Sequence, residues 1–172
     1  MSLARVLAVD DRRENLLALQ AILEGLPIEV ESVTSGEDAL KRLLTGDYAV
    51  ILLDAHMPGM DGFETAGHVK QRERTRHIPI LFLTAVDYDP HLAFRGYQAG
   101  AVDYISKPFD PWVLRSKVSV FVDLWTVQSQ LAARASEHEA LGTAVDDVAA
   151  VRDAFDAEGL CGQGGIDLVL MD

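Results

Sequence analysis

Cysteine is almost missing from this sequence: Cys161 is the single one in 172 residues, so no intrachain disulfide can form. Long apolar runs are missing too. No stretch approaches the roughly 18–20 consecutive apolar residues that a membrane-spanning helix needs. The opening residues, Met1-Ser2-Leu3-Ala4-Arg5, pass directly into a strand-like segment and lack the apolar region of a secretion signal. Basic residues are scarce at the far end. Between residues 136 and 172, nine acids face one base, Arg152, so this segment carries −8 of the net −12. That balance argues against direct nucleic-acid binding, which needs a basic footprint. Taken together, the absences lead us to expect a cytoplasmic protein that engages neither membrane nor nucleic acid. Solubility is the plain role for the acidic tail.

What is present is an alternation. Five short apolar runs, at residues 5–9, 28–33, 48–53, 80–84 and 102–105, read as strands buried on both faces. Helical patterns separate them, at residues 15–24, 35–44, 61–71 and 90–99. Ser35-Gly36-Glu37-Asp38 has the form of a capping box, and Gly46 closes the segment. Strand–helix alternation builds βαβ units and therefore an α/β fold with a mostly parallel sheet. Right-handed crossovers place helices on both faces.

The last helical pattern is longer than the others. Asp110 suits an N-cap and Pro111 the first helical position. No breaker follows until Gly142, which gives 31 residues and roughly 47 Å of helix. Leu114, Val118, Phe121 and Trp125 form one 4-3-4 seam; Val120, Leu124, Val127 and Leu131 form a second. One seam is expected to dock on the sheet. The other is left for a partner helix, with a homodimer as the simplest arrangement. Trp112 and Trp125 are expected to be packing residues.

The chemistry-bearing residues fall at strand ends. Asp10 and Asp11 close the first strand, Asp54 the third and Thr84 the fourth, while Lys107 follows the fifth. In an open parallel sheet the carboxyl ends of the strands form the ligand crevice. Three carboxylates, a hydroxyl and an ammonium therefore converge from positions about a hundred residues apart. Clustered carboxylates repel one another unless a cation joins them. An all-oxygen donor set suits a hard ion such as Mg²⁺. Asp54 then has the features of an aspartyl nucleophile, with Lys107 and the ion balancing phosphoryl charge. The Thr84 hydroxyl is placed to hydrogen-bond the arriving group.

Four stretches carry a resemblance: Val9-Asp10-Asp11, the segment from Leu53-Asp54-Ala55-His56-Met57-Pro58 to Gly62, Leu83-Thr84-Ala85, and Tyr104-Ile105-Ser106-Lys107-Pro108-Phe109. In order and spacing, over residues 3–125, the chain resembles the receiver domains of two-component response regulators. The resemblance implies a flavodoxin-like doubly wound (βα)₅ fold with strand order 2-1-3-4-5, here followed by a long C-terminal helix. It implies that Asp10 and Asp11 hold Mg²⁺, Asp11 directly, and that Asp54 and the backbone carbonyl of His56 complete the protein ligands. It implies that Asp54 takes phosphate from a histidine kinase or a histidine phosphotransfer protein. Thr84 and Tyr104 would move together as a switch pair, and Lys107-Pro108 would be cis. Such a chain is a signalling phospho-acceptor that catalyses only its own phosphorylation and dephosphorylation. The His56 side chain reads as a solvent-facing loop residue.

Three segments follow: a receiver at residues 1–125, a helical extension at 126–141 and an acidic tail at 142–172. Ala144-Val145-Asp146-Asp147 repeats Ala8-Val9-Asp10-Asp11, and Ile166-Asp167-Leu168-Val169-Leu170-Met171-Asp172 resembles a third receiver strand. Asp146 and Asp172 are 26 positions apart, against 44 from Asp10 to Asp54, so the tail holds at most a receiver fragment. No helix-turn-helix, cyclase or kinase motif occurs in these residues. The competing reading is the receiver portion of a longer hybrid histidine kinase or tandem-receiver regulator. A haloacid-dehalogenase-like phosphatase would want an Asp two positions past the nucleophile, where this chain has His56.

Overall fold

The computed structural model describes residues 2–85, 91, 94, 98, 100 and 103–161, with side chains through residue 141. Five strands form one parallel sheet: β1 (Ala4–Val9), β2 (Ile28–Val33), β3 (Val50–Asp54), β4 (Ile80–Thr84) and β5 (Asp103–Ser106). Their order is β2-β1-β3-β4-β5. The helices are α1 (Arg13–Leu23), α2 (Gly36–Arg42), α3 (Gly62–Gln71) and the C-terminal α4 (Pro111–Cys161). This is the parallel α/β sheet that the alternation predicts, in the doubly wound, flavodoxin-like order that the resemblance implies. The helix expected at residues 90–99 lies largely outside the described residues, as does the strand-like segment at 166–172.

Alternation within each strand divides the core in two. Leu7, Val9, Ile51, Leu53, Ile80 and Phe82 pack with Ala39 and Leu43 of α2 and Phe63, Ala66 and Val69 of α3. Val6, Ala8, Val50, Leu52, Leu81 and Leu83 pack with Leu16, Leu19 and Leu23 of α1 and Leu114, Val118 and Val122 of α4. Every residue of β3 and β4 is buried, which is why these segments read as unbroken apolar runs. The outer strands depart from that expectation. Most of β2 is only partly buried, and β5 is buried at Ile105 alone, because an edge strand has a neighbour on one side only.

Local signals set the helix starts. Ser35 Oγ accepts the Asp38 N–H at 3.1 Å and Asp61 Oδ1 accepts the Glu64 N–H at 2.8 Å, each satisfying a donor that the first turn leaves open. Asp110 Oδ1 accepts the Trp112 N–H at 2.8 Å, with Pro111 in the first helical position.

Two compact units divide the chain, Met1–Val127 and Gln128–Asp172. In the first, Leu114 and Val118 of the docking seam are fully buried, and Phe121 and Trp125 pack partly buried beside them. Each large side chain so placed contributes roughly 1.5–3 kcal/mol. Trp112 does not pack: it is 75% exposed, because it lies outside the 114–118–121–125 register. In the second unit the helix runs through Gly142 to Cys161 instead of stopping. A glycine costs about 1 kcal/mol relative to alanine in a helix interior, too little on its own to end a helix of this length. Residues 144–147 are consequently helical and do not form the strand end that their likeness to residues 8–11 suggests.

Candidate functional site

The sheet delivers the predicted residues to one edge. Asp10 follows β1, Asp54 closes β3, Thr84 closes β4 and Lys107 follows β5. The strand order reverses between β1 and β3, so these carboxyl ends open a crevice. Carboxylate oxygens of Asp10, Asp11 and Asp54 all lie within 4.8 Å of one another. Asp10 is fully buried and Asp54 is 7% exposed, whereas Asp11 is exposed. Lys107 Nζ donates to Asp10 Oδ2 at 2.9 Å and stands 3.7 Å from Asp54 Oδ1. The peptide bond between Lys107 and Pro108 is cis.

Asp54 is poised rather than saturated. Its Oδ1 accepts the His56 N–H at 3.2 Å and faces Lys107. Among the described residues, no donor reaches Oδ2. Burial raises the Asp54 carboxyl above its ordinary range, and the charges of Asp10 and Asp11 add to that; Lys107 and the His56 N–H pull the other way. A buried carboxylate with two like charges nearby calls for a cation. The donor set holds oxygen atoms alone at close range, which fits a hard divalent ion and not a soft one.

Thr84 is buried at the end of β4, and its carbonyl accepts the Lys107 N–H. Tyr104 pairs with Phe82 across β4 and β5, and their rings stack with centroids 5.4 Å apart. Phe82 in turn meets Phe63 of α3 at 4.9 Å. The structure thus brings Asp10, Asp11, Asp54 and Lys107 together at close range, with Thr84 at the end of β4 and Tyr104 of β5 beside Phe82. The His56 side chain is exposed, while its backbone holds Asp54.

Two further residues shape the site. Gly62 opens α3, and its N–H donates to the Ala55 carbonyl at 3.0 Å, seating the helix directly on the end of β3. Asn15, in the first turn of α1, donates to both oxygens of Asp10 at 3.1 Å. Neither stands out in the sequence. The available signals are a glycine where a helix meets a strand end, and an amide one turn past an acid pair.

The family model for the response regulator receiver domain matches residues 6–119. The response regulator PleD of Caulobacter vibrioides is 34% identical over 139 residues, covering 81% of this chain and 30% of that protein. The sensor histidine kinase GacS of Pseudomonas protegens is 36% identical over 141 residues, covering 80% of this chain and 15% of that one. The chain therefore spans less than a third of the length of these curated relatives. Among solved structures, the chemotaxis protein CheY4 of Vibrio cholerae superposes with a TM-score of 0.66 at 32% identity, over 70% of this chain and 99% of that one. With the strand order, the acid cluster and the lysine in place, the chain belongs to the response regulator receiver domain family.

Proposed function

We propose that the chain is a phospho-acceptor switch in which Asp54 takes a phosphoryl group from a histidine kinase or a histidine phosphotransfer protein. The observation that carries this is the convergence of the Asp10, Asp11 and Asp54 carboxylates within 4.8 Å, with Lys107 Nζ 3.7 Å from Asp54. In the transfer, an Asp54 oxygen forms a bond to phosphorus, the phosphorus–nitrogen bond of the donor breaks, and the leaving imidazole nitrogen takes a proton. Lys107 moves from Asp10 to a phosphoryl oxygen, which its flexible stem permits. Asp11 and Asp54, the His56 carbonyl and, less directly, Asp10 would hold Mg²⁺. When bound, that ion supplies charge neutralisation for the phosphoryl oxygens. The Thr84 hydroxyl then donates a hydrogen bond to the new group, and Tyr104 follows it. The chain catalyses only its own phosphorylation and dephosphorylation. With a net charge of −12, its partner is read as protein and not nucleic acid. No helix among the described residues is long and apolar enough to cross a membrane.

The test is incubation with Mg²⁺ and a small phosphodonor, followed by intact-mass analysis. Wild type gains one acid-labile phosphoryl group. Asp54→Asn gains none, because an amide is a poor nucleophile. Full labelling of Asp54→Asn would overturn the assignment.

A second reading places these residues inside a longer hybrid histidine kinase or multi-domain regulator. The similarity to a small part of GacS, and a helix running from Pro111 to Cys161 past the family match, favour it. Reading the gene beyond Asp172 decides between the two. In either setting the exposed face of α4 is read as a homodimer contact.

A further inference from the structure

Asp10 is more tightly held than a metal ligand needs to be. The Arg12 N–H donates to Oδ1 at 2.9 Å, Lys107 Nζ to Oδ2 at 2.9 Å, and the Asn15 amide to both oxygens at 3.1 Å. A carboxylate offers about four lone-pair sites, and these four contacts fill them. A carboxylate can only accept, so the Asn15 side chain must present its nitrogen here. Asparagine brings no local advantage at this position. It is a weak helix former, and Arg12, the N-cap of α1, makes no side-chain cap bond for it to reciprocate. The Asn15 amide is directed to Asp10 instead.

The phospho-acceptor reading requires Lys107 to leave Asp10. Once it does, a fully buried carboxylate loses its cation, and Oδ2 keeps one donor, Asn15. We propose that Asn15 is a positioning residue for Asp10: it holds that carboxylate oriented whether or not Lys107 is bound to it. Asp10 thereby faces a divalent cation as an outer ligand, and Lys107 is free to follow the phosphoryl group. This inference rests on the phospho-acceptor reading and adds to it a residue of α1.

The test is calorimetric titration of the full chain with Mg²⁺. Asn15→Leu preserves side-chain size and removes the donor; Asn15→Ala removes donor and bulk together. Both are expected to weaken Mg²⁺ binding about tenfold or more, as loss of an outer-sphere partner does. Asn15→Gln keeps an amide donor and is expected to recover most of that loss, which a merely structural role for the side chain would not produce. Affinities of Asn15→Leu and Asn15→Ala within about twofold of wild type, or no recovery in Asn15→Gln, overturn the inference and leave the phospho-acceptor reading standing. A wild-type chain that neither binds Mg²⁺ nor accepts phosphate overturns both.

Discussion

A Cβ atom placed on Gly62 would lie 2.1 Å from the backbone oxygen of Asp54 and 2.8 Å from the Cα of Ala55. The first turn of α3 therefore rests on the backbone of the proposed phospho-acceptor, and side-chain adjustment cannot relieve the clash. Gly62→Ala is expected to destabilise the fold by about 1–3 kcal/mol through overpacking, against at most about 1 kcal/mol gained in helix propensity. Labelling should also slow, because a displacement of about 1 Å at a reacting group can cost a hundredfold. Denaturant melts and labelling rates check both. A variant as stable and as reactive as wild type would show that the contact does not position Asp54.

Gly62 also marks where sequence reasoning stops. Strand positions are legible because β3 and β4 are buried throughout, so their residues had to be apolar. The acid cluster is legible because a parallel sheet sends every strand end to one edge. The contacts of Gly62 and Asn15 depend on how a helix meets a strand end, within a fraction of an ångström, and a residue type alone does not encode that. Trp112 shows the same limit: composition says apolar, but helical register decides which side it faces. Gly142 reads as a stop because glycine disfavours helix, yet that cost is small beside the sum of a 51-residue helix. The edge strands read as buried because apolar content does not report how many neighbours a strand has.

Asp54 should leave its mark on stability as well as on reactivity. Burial and its acidic neighbours raise its carboxyl above the ordinary value of 3.8, so the fold favours the protonated form. Stability from this group is present below the ordinary value and is lost as pH rises through the raised one. Without Mg²⁺, Asp54→Asn should melt above wild type at neutral pH, and the gap should close as the pH falls toward 3.8. Added Mg²⁺ should raise the wild-type melting temperature more than that of the variant. Thermal melts across this range check it, and a gap that does not vary with pH would contradict the assigned shift.

Thr84 separates transfer from response. Its side chain is buried at the end of β4, and the next strand carries Tyr104 against Phe82. Thr84→Ala should accept phosphate at a rate within about threefold of wild type, since the hydroxyl is proposed to read the phosphoryl group and not to transfer it. The phosphorylation-dependent change in hydrogen exchange over β4 and β5 should disappear. If labelling fell as far as the response, Thr84 would belong to the chemical step.

The exposed face of α4 bears on assembly. Val120, Leu124, Val127 and Leu131 are 56, 55, 54 and 59% exposed, and they recur at the 4-3-4 spacing by which one helix packs on another. The opposite seam is already spent on the sheet, through Leu114 and Val118. Full burial of such a residue is worth roughly 1.5–3 kcal/mol, and each here retains about half of that, or about 1 kcal/mol. Four residues from each of two copies then give roughly 8 kcal/mol before the cost of association is subtracted. A micromolar dimer needs about 8 kcal/mol after that cost, so the contact must extend along the helix beyond these four positions. Two receivers joined in this way would stand around a two-fold axis, where a change at Thr84 and Tyr104 could alter the angle of the joined helices. Sedimentation of wild type at micromolar concentration should give a dimer. The Leu124→Glu, Leu131→Glu double variant should give a monomer with an intact receiver, because like charges would then face each other in the seam. A wild-type monomer would instead point to cover from the same chain, for which residues 166–171 are the apolar candidate. A dimer untouched by the two glutamates would place its interface on another face of the protein.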